Sequence, residues 1–176
     1  MNSEPIKPVV IIRHAQVEDA QNLIALRKKL YAQSNNMLLE DGEYAPSLGS
    51  EQAFISQFSQ SNNSAVLLAV KDESLVGFMG VAGGRTRRIE HCADVFLGVD
   101  KSVWGQGIGW QLMQFLNTWA LSTDLRRLAL TTAVANARGL ALYIKSGFVI
   151  EGIKQGDIML DSQLVDSYSM AKLITR

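Results

Sequence analysis

The apolar positions along the chain change period several times, and each change marks an element. "VVIIRH" (9–14) is continuous and β-branched, the pattern of a strand. From Val17 the apolar positions move to Ala20, Leu23, Ile24 and Tyr31, which is the spacing of one helix face. "SNNMLLEDGEYAPSLGS" (34–50) has no period and holds Gly, Pro, Ser and Asn, so it reads as a loop. A loop of that length in a compact domain is more often functional than idle. A short helix over 51–60 turns Phe54, Ile55 and Phe58 to one side.

A run of strand signals follows. "AVLLAV" (65–70) and "LVGFMGVAG" (75–83) read as a hairpin joined by "KDES", and "GRTRR" (84–88) turns the chain into a strand over 89–99. The next helix, 107–121, carries Ile108, Leu112, Phe115 or Leu116, and Trp119 on one stripe. "RRLALTTAV" (126–134) is a strand, and 136–147 is a helix running from an Asn cap to a terminal Gly. Strands at 148–153 and 164–174 complete the chain. This order predicts one α/β domain over 1–176: a mixed, mostly antiparallel sheet of about seven strands flanked by four helices. Strand, helix and strand across 89–134 predict a right-handed parallel crossover.

Composition narrows the function classes. Hydrophobic residues make up 47% and charged residues 19%, an ordinary globular balance. Lys plus Arg equals Asp plus Glu at 17 each, which argues against broad nucleic-acid or membrane binding, because both need a basic excess. No apolar run reaches the ~20 residues of a membrane span. "MNSEPIKPVV" lacks the charged-then-apolar order of a signal peptide. Cys92 is the single cysteine and His14 and His91 the two histidines, so no metal is expected and a cytoplasmic setting is the plain reading.

"WGQGIGW" (104–110) places glycines at 105, 107 and 109 where a strand becomes a helix. A helix N-terminus carries unpaired N–H groups and about half a positive charge, and glycine lets backbone approach an anion closely. The stretch therefore reads as a diphosphate cradle. The P-loop string G-x-x-x-x-G-K-[ST] does not occur, and G-x-G-x-x-G would require Gly where the chain has Trp110. Asn136 and Tyr143 are seven apart, so on a helix they lie nearly one above the other. An N-cap plus a core tyrosine is the plainer reading of that pair. Gly98 interrupts an apolar strand, as a bulge or a close backbone approach would require; glycine tolerated for packing is the alternative.

The turn resembles the phosphate-binding signature [QR]-x-x-G-x-[GA] of the Gcn5-related N-acetyltransferases, with Gly107 and Gly109 in its last two places. "NARGLALYIKSGFVIEG" (136–152) is similar to that family's N-x-x-A-x-x-L-Y-x-x-x-G-F-x-x-E-G segment, with Leu140 and Ala141 in exchanged order. Trp104 departs from the Gln or Arg of the signature, which removes one polar contact to a phosphate but not the backbone cradle. The resemblance implies acetyl-CoA as donor cosubstrate, a central splay between the fourth and fifth strands, and a direct acetyl transfer to a primary amine of a small molecule or a protein. It implies coenzyme contacts from Leu97, Val99, Trp104, Gly105, Gln106, Gly107, Ile108, Gly109, Trp110, Asn136 and Tyr143. It also implies that Tyr143 protonates the departing thiolate, while a backbone N–H near Val99 polarises the carbonyl.

The general base is open at this point. His91 is the better candidate and Glu90 the other, both on the strand entering the cradle; a histidine held for structure is the alternative. Cys92 alternates away from His91 and reads as a small buried hydrophobe. "RTRR" (85–88) reads as a solvated tip, with the coenzyme's outer phosphate or an acidic substrate as the other reading. Met37, Leu38, Leu39, Glu40, Glu43 and Tyr44 are expected to wall the acceptor site, their acids suiting a cationic amine. The competing functions are a catalytically silent acyl-CoA-binding sensor and a nucleotide-binding oxidoreductase, the second disfavoured by the glycine spacing. An exposed last strand would permit a homodimer.

Overall fold

The computed structural model describes residues 9–175. Its strands are β1 (Val10–His14), β2 (Ala65–Lys71), β3 (Ser74–Gly83), β4 (Cys92–Val99), β5 (Arg127–Ala133), β6 (Val149–Leu160) and β7 (Gln163–Leu173). Its helices are α1 (Ala20–Gln33), α2 (Leu48–Ser59), α3 (Ile108–Leu121) and α4 (Ala137–Lys145). The seven strands form one sheet in the order β1-β2-β3-β4-β5-β7-β6. Only β4 and β5 run parallel, joined across α3, as the period changes predict.

Alternation along β2 and β3 sorts side chains into two cores. Leu67, Met79 and Val81 pack with Val95 of β4 and with Ile108, Leu112, Met113 and Leu116 of α3. Val66, Leu68 and Phe78 face the other way, against Leu23, Leu26 and Leu30 of α1 and Ile55 of α2. Each of these side chains is almost fully buried, and such burial stabilises by about 1.5–3 kcal/mol per large residue. The sheet is therefore covered on both faces around β2, β3 and β4. At the far edge β6 is exposed along most of its length.

Turn chemistry fixes the hairpins. Asp72 and Glu73 have φ of 48° and 62°, and Asp161 and Ser162 have 49° and 63°, the left-handed pair that a two-residue hairpin needs. The second hairpin is longer than the sequence pattern suggests. "KQGDIML" lacks clean alternation because β6 shifts register against β7 twice, between Ile150 and Gly152 and between Lys154 and Ile158. Helix α2 also starts earlier than expected, at Leu48, because the Ser47 hydroxyl caps it by accepting from Ser50 N–H at 3.1 Å.

The chain ends one expected strand early and decides between the readings of Gly98. The strand read as 89–99 begins only at Cys92, since Ile89 N–H donates to Thr86 O and Cys92 N–H to Ile89 O, closing successive turns. The Asn63 amide braces those turns by donating to the carbonyls of Gly84 and Glu90. Gly98 marks no bulge, because β3 and β4 pair in unbroken register from Gly77↔Val99 to Gly83↔Ala93. A Cβ there would stand 2.8 Å from Leu30 Cδ1 and 3.4 Å from Met37 Cε, so close approach of α1 and the following loop is what requires glycine.

Candidate active site

The site arises where β4 and β5 part. They pair only at Cys92↔Arg127, Ala93↔Leu128 and Asp94↔Ala129, and the remainder of each strand diverges. Hydrogen-bond parity decides which backbone groups face the gap. Asp100 N–H donates to Val76 O and Gly84 N–H to Cys92 O, so the even-numbered residues of β4 pair with β3. The odd-numbered residues, Leu97 and Val99, direct their N–H and C=O groups toward the gap. One of these groups is already engaged: the Trp104 indole N–H donates to Val99 O at 2.7 Å.

A cavity of about 510 Å³ occupies this gap. Leu97, Gly98, Val99, Trp104, Gly105, Gly107, Ile108, Gly109, Trp110, Asn136, Arg138, Leu142, Tyr143 and Lys145 line it, together with Leu30, Gln33, Ser34, Asn36 and Met37. Leu30 and Met37 belong with the core under α1, whereas Ile108, Leu142 and Tyr143 belong with the core under α3. The cavity therefore opens through the sheet rather than lying on one face.

The cradle is set by backbone conformation. Gly105 and Gly107 have φ of 81° and 79°, a region that L residues with a Cβ rarely adopt. A Cβ on either would meet nothing within 4 Å, so the requirement is conformational and not one of crowding. Gly107 caps α3 without a side-chain hydrogen bond, which leaves the N–H groups of the first turn to the cavity. Gly109 instead permits close packing, since its Cβ would stand 3.0 Å from Leu142 of α4.

Helix α4 supplies the polar side chains. Asn136 Oδ1 accepts from Gly139 N–H at 3.0 Å, and Nδ2 donates to Thr132 Oγ1 at 3.1 Å. Tyr143 is two turns further on, edge-on to Phe148 with ring centroids 6.3 Å apart. Desolvation pushes its hydroxyl up to about 12. Arg138 stacks over Trp104 at 4.6 Å and Lys145 over Trp110 at 4.4 Å.

Asp100 anchors α1 beneath the cradle. Burial opposes its ionisation, but Lys29, the Ser102 N–H and Gln33 outweigh that and hold its carboxyl down to about 2. The group is thus more acidic folded than unfolded, and its stabilisation is present above pH 4 and lost as pH falls toward 2. Since Lys29 is half exposed, the contribution is discounted to about 1–2 kcal/mol. Asp100→Asn should lower the stability by that amount at pH 7, and urea titrations repeated from pH 4 downward should show the two proteins converging.

Most of the coenzyme residues named from the sequence are brought together here, whereas the candidate bases and most of the expected acceptor wall are not. Gln106 is exposed, and its Oε1 accepts from Lys71 Nζ at 2.9 Å. His91 and Glu90 lie in the turn before β4, exposed and outside the cavity lining. His91 precedes Val99 by eight residues, about 26 Å of extended chain. The expected acidic wall also fails: Glu40 and Glu43 are exposed and outside the lining, with the Glu43 carboxylate accepting from Glu40 N–H. Leu38, Leu39 and Tyr44 are outside it too, and Met37 alone of that set remains. Arg85 borders a separate polar cavity. Arg138 and Lys145 were not singled out by sequence, although their seven-residue spacing, like that of Asn136 and Tyr143, sets the two side chains of the pair on one face of the helix.

The profile of the acetyltransferase (GNAT) family matches residues 31–148. The chain belongs to that family. It is an acetyltransferase, and with the family it takes acetyl-CoA as donor cosubstrate. It is 25% identical over 168 residues to the L-amino acid N-acetyltransferase AaaT of Escherichia coli (strain K12), covering 93% of this chain and 98% of the relative. A solved acetyltransferase of the GNAT family from Streptococcus pneumoniae superposes with a TM-score of 0.92 at 28% identity, covering 95% of this chain and 100% of that one. The fold is shared with phosphinothricin acetyltransferase from Sinorhizobium meliloti, solved in complex with AcCoA, at a TM-score of 0.82 and 17% identity, with 94% and 88% covered. Among the described residues of the acetyltransferase, no helix is long and apolar enough to cross a membrane.

Proposed function

We propose that the acetyltransferase moves the acetyl group of acetyl-CoA directly onto a primary amine, with donor and acceptor entering from opposite faces of the sheet. One observation carries this reading: a single cavity reaches both the glycine cradle of α3 and the end of α1 through the gap between β4 and β5. The N–H groups of Gly105 and of residues 107–110 bind the diphosphate, while that of Gln106 donates to Val103 O. Leu97 offers free backbone groups to the pantetheine arm, and the Val99 N–H is aimed where a thioester carbonyl oxygen would gain charge. Tyr143 donates its proton to the sulfur as the thioester bond breaks.

The amine enters beside Leu30, Gln33, Ser34, Asn36 and Met37. Among the described residues lining the cavity there is no carboxylate and no imidazole. Tyr143, held at about 12, stays protonated near neutrality and cannot serve as the base. The acceptor therefore arrives already neutral and loses its second proton to water. Peptide α-amines titrate near 7.7–8.0 and lysine side chains near 10.4, so at pH 7.5 the neutral fraction favours a peptide N-terminus over a lysine by about two orders of magnitude.

Thiol release from acetyl-CoA over amino acids, peptide N-termini and polyamines tests the reading. Turnover is expected with at least one amine, and kcat/KM should rise with pH along that amine's own titration. A rate limited instead by an enzyme group near pH 6–7 would restore a histidine base. Tight acetyl-CoA binding with no turnover on any amine would favour a silent sensor.

A further inference from the structure

The backbone donors of the cradle are neutral dipoles, whereas the coenzyme carries charge on its diphosphate and on its ribose phosphate. Something must balance that charge at the cavity. Among the described residues two cations line it, Arg138 and Lys145, both exposed on α4. Neither has a carboxylate partner among the described residues. Each is seated on a tryptophan that flanks the glycine run: Arg138 over Trp104 and Lys145 over Trp110. Trp104 cannot itself offer a polar group to an anion, because its indole N–H is turned inward onto Val99 O. Its ring is thereby fixed edge-first, which leaves a face to hold the guanidinium.

We infer that Arg138 and Lys145 form a cation clamp for the phosphate groups of the coenzyme, with Trp104 and Trp110 as the positioning residues that hold it open. Arg138 and Lys145 are seven residues apart, so one face of α4 presents both charges across the turn from the cradle. A guanidinium stacked on an indole keeps its N–H edge free for two parallel bonds to a phosphate. Without a competing carboxylate, neither cation must break an ion pair before binding. The sequence order matters too: α4 supplies the charge, the cradle supplies the dipoles, and Trp104 ties α4 to the end of β4.

This inference rests on the coenzyme reading of the cavity, and calorimetric titration separates the two. If the wild-type protein fails to bind acetyl-CoA, the site reading itself falls. If it binds, Arg138→Gln and Lys145→Gln should each weaken acetyl-CoA by roughly 10-fold and flatten the dependence of affinity on salt. Acetyl-pantetheine, which has no phosphate, should bind all these proteins equally. Dephospho-coenzyme A separates the two sources of phosphate: a loss that persists with it assigns the cation to the diphosphate, and a loss that vanishes assigns it to the ribose phosphate. In a Trp104→Leu background the effect of Arg138→Gln should shrink, a coupling that a merely structural tryptophan would not produce. Unchanged acetyl-CoA affinity in both Gln variants, or an equal loss with acetyl-pantetheine, overturns the clamp. Unfolding midpoints close to wild type confirm that the variants are folded.

Discussion

Replacing Tyr143 by Phe should lower kcat by about 100-fold or more while leaving acetyl-CoA affinity within about threefold of wild type. A positioned general acid contributes about 10²–10⁴ in rate, and the phenol is the titratable hydroxyl that α4 brings to the cavity. Its surroundings keep it protonated: desolvation holds the hydroxyl up to about 12, so the proton is available throughout the neutral range. A thiol titrates near 8.5 in water, which makes a phenol held that high a reluctant donor to a solvated thiolate. The thioester sulfur leaves inside the same cavity, where desolvation raises the thiolate's proton affinity for the same reason it raises the phenol's. The two therefore approach each other, and proton transfer completes as the C–S bond breaks. Phenylalanine keeps the ring and its edge contact with Phe148, so the fold should be undisturbed. The wild-type rate should lose this donor only as pH rises toward 12, where the folded protein also gives up the stabilisation of holding that proton. A variant that keeps wild-type kcat in single-turnover measurements would remove Tyr143 from the chemistry.

What the sequence revealed follows from the range of each interaction. Gly105 and Gly107 were legible because a positive φ is a local demand that glycine answers, and the string itself carries it. The Asn136 cap and the Gly147 stop were legible for the same reason, as Gly147 has φ of 91°. Leu97 and Val99 were legible by resemblance alone, since alternation gives a strand's faces but not which edge is left unpaired. His91 was misplaced because the strand pattern of the sequence continues back through 89–91, whereas two turns and the Asn63 side chain, distant in sequence, make the strand begin at Cys92. Gly98 stayed open between a bulge and a close approach because the pressure on it comes from Leu30 and Met37, more than sixty residues away along the chain. The stacks of Arg138 on Trp104 and Lys145 on Trp110 join a turn to a helix, and no local pattern announces such a pairing.

Glu51→Ala should destabilise the protein by about 3–5 kcal/mol, the largest stability loss expected of any single truncation outside the apolar cores. Glu51 is 2% exposed and is the hub of a network that joins α1, α2 and the loop between them. Arg27 of α1 donates to Glu51 Oε1 at 3.2 Å, and its Nε and Nη2 donate to the Tyr31 hydroxyl at 3.3 and 3.0 Å. The guanidinium also lies 4.1 Å from the Tyr44 ring centroid and 5.1 Å from that of Phe78. From the loop, the Tyr44 hydroxyl donates to Glu51 Oε2 at 2.6 Å, and desolvation together with this bond pushes the phenol's ionisation well above its ordinary value. Alanine at 51 would leave a guanidinium and a phenol buried without their acceptor, and the uncompensated charge dominates the cost. Glu51→Gln keeps an oxygen for Tyr44 and should cost less, about 1–2 kcal/mol. The double change Arg27→Met and Glu51→Leu removes both charges at similar volume and should recover much of the loss, which urea midpoints for the set would read directly. The network also holds the loop whose first residues, Ser34, Asn36 and Met37, border the amine side of the cavity. Glu51→Gln should accordingly raise KM for the amine more than it lowers kcat. An alanine variant within 1 kcal/mol of wild type would mean that water reaches this cluster and that the loop is held by other contacts.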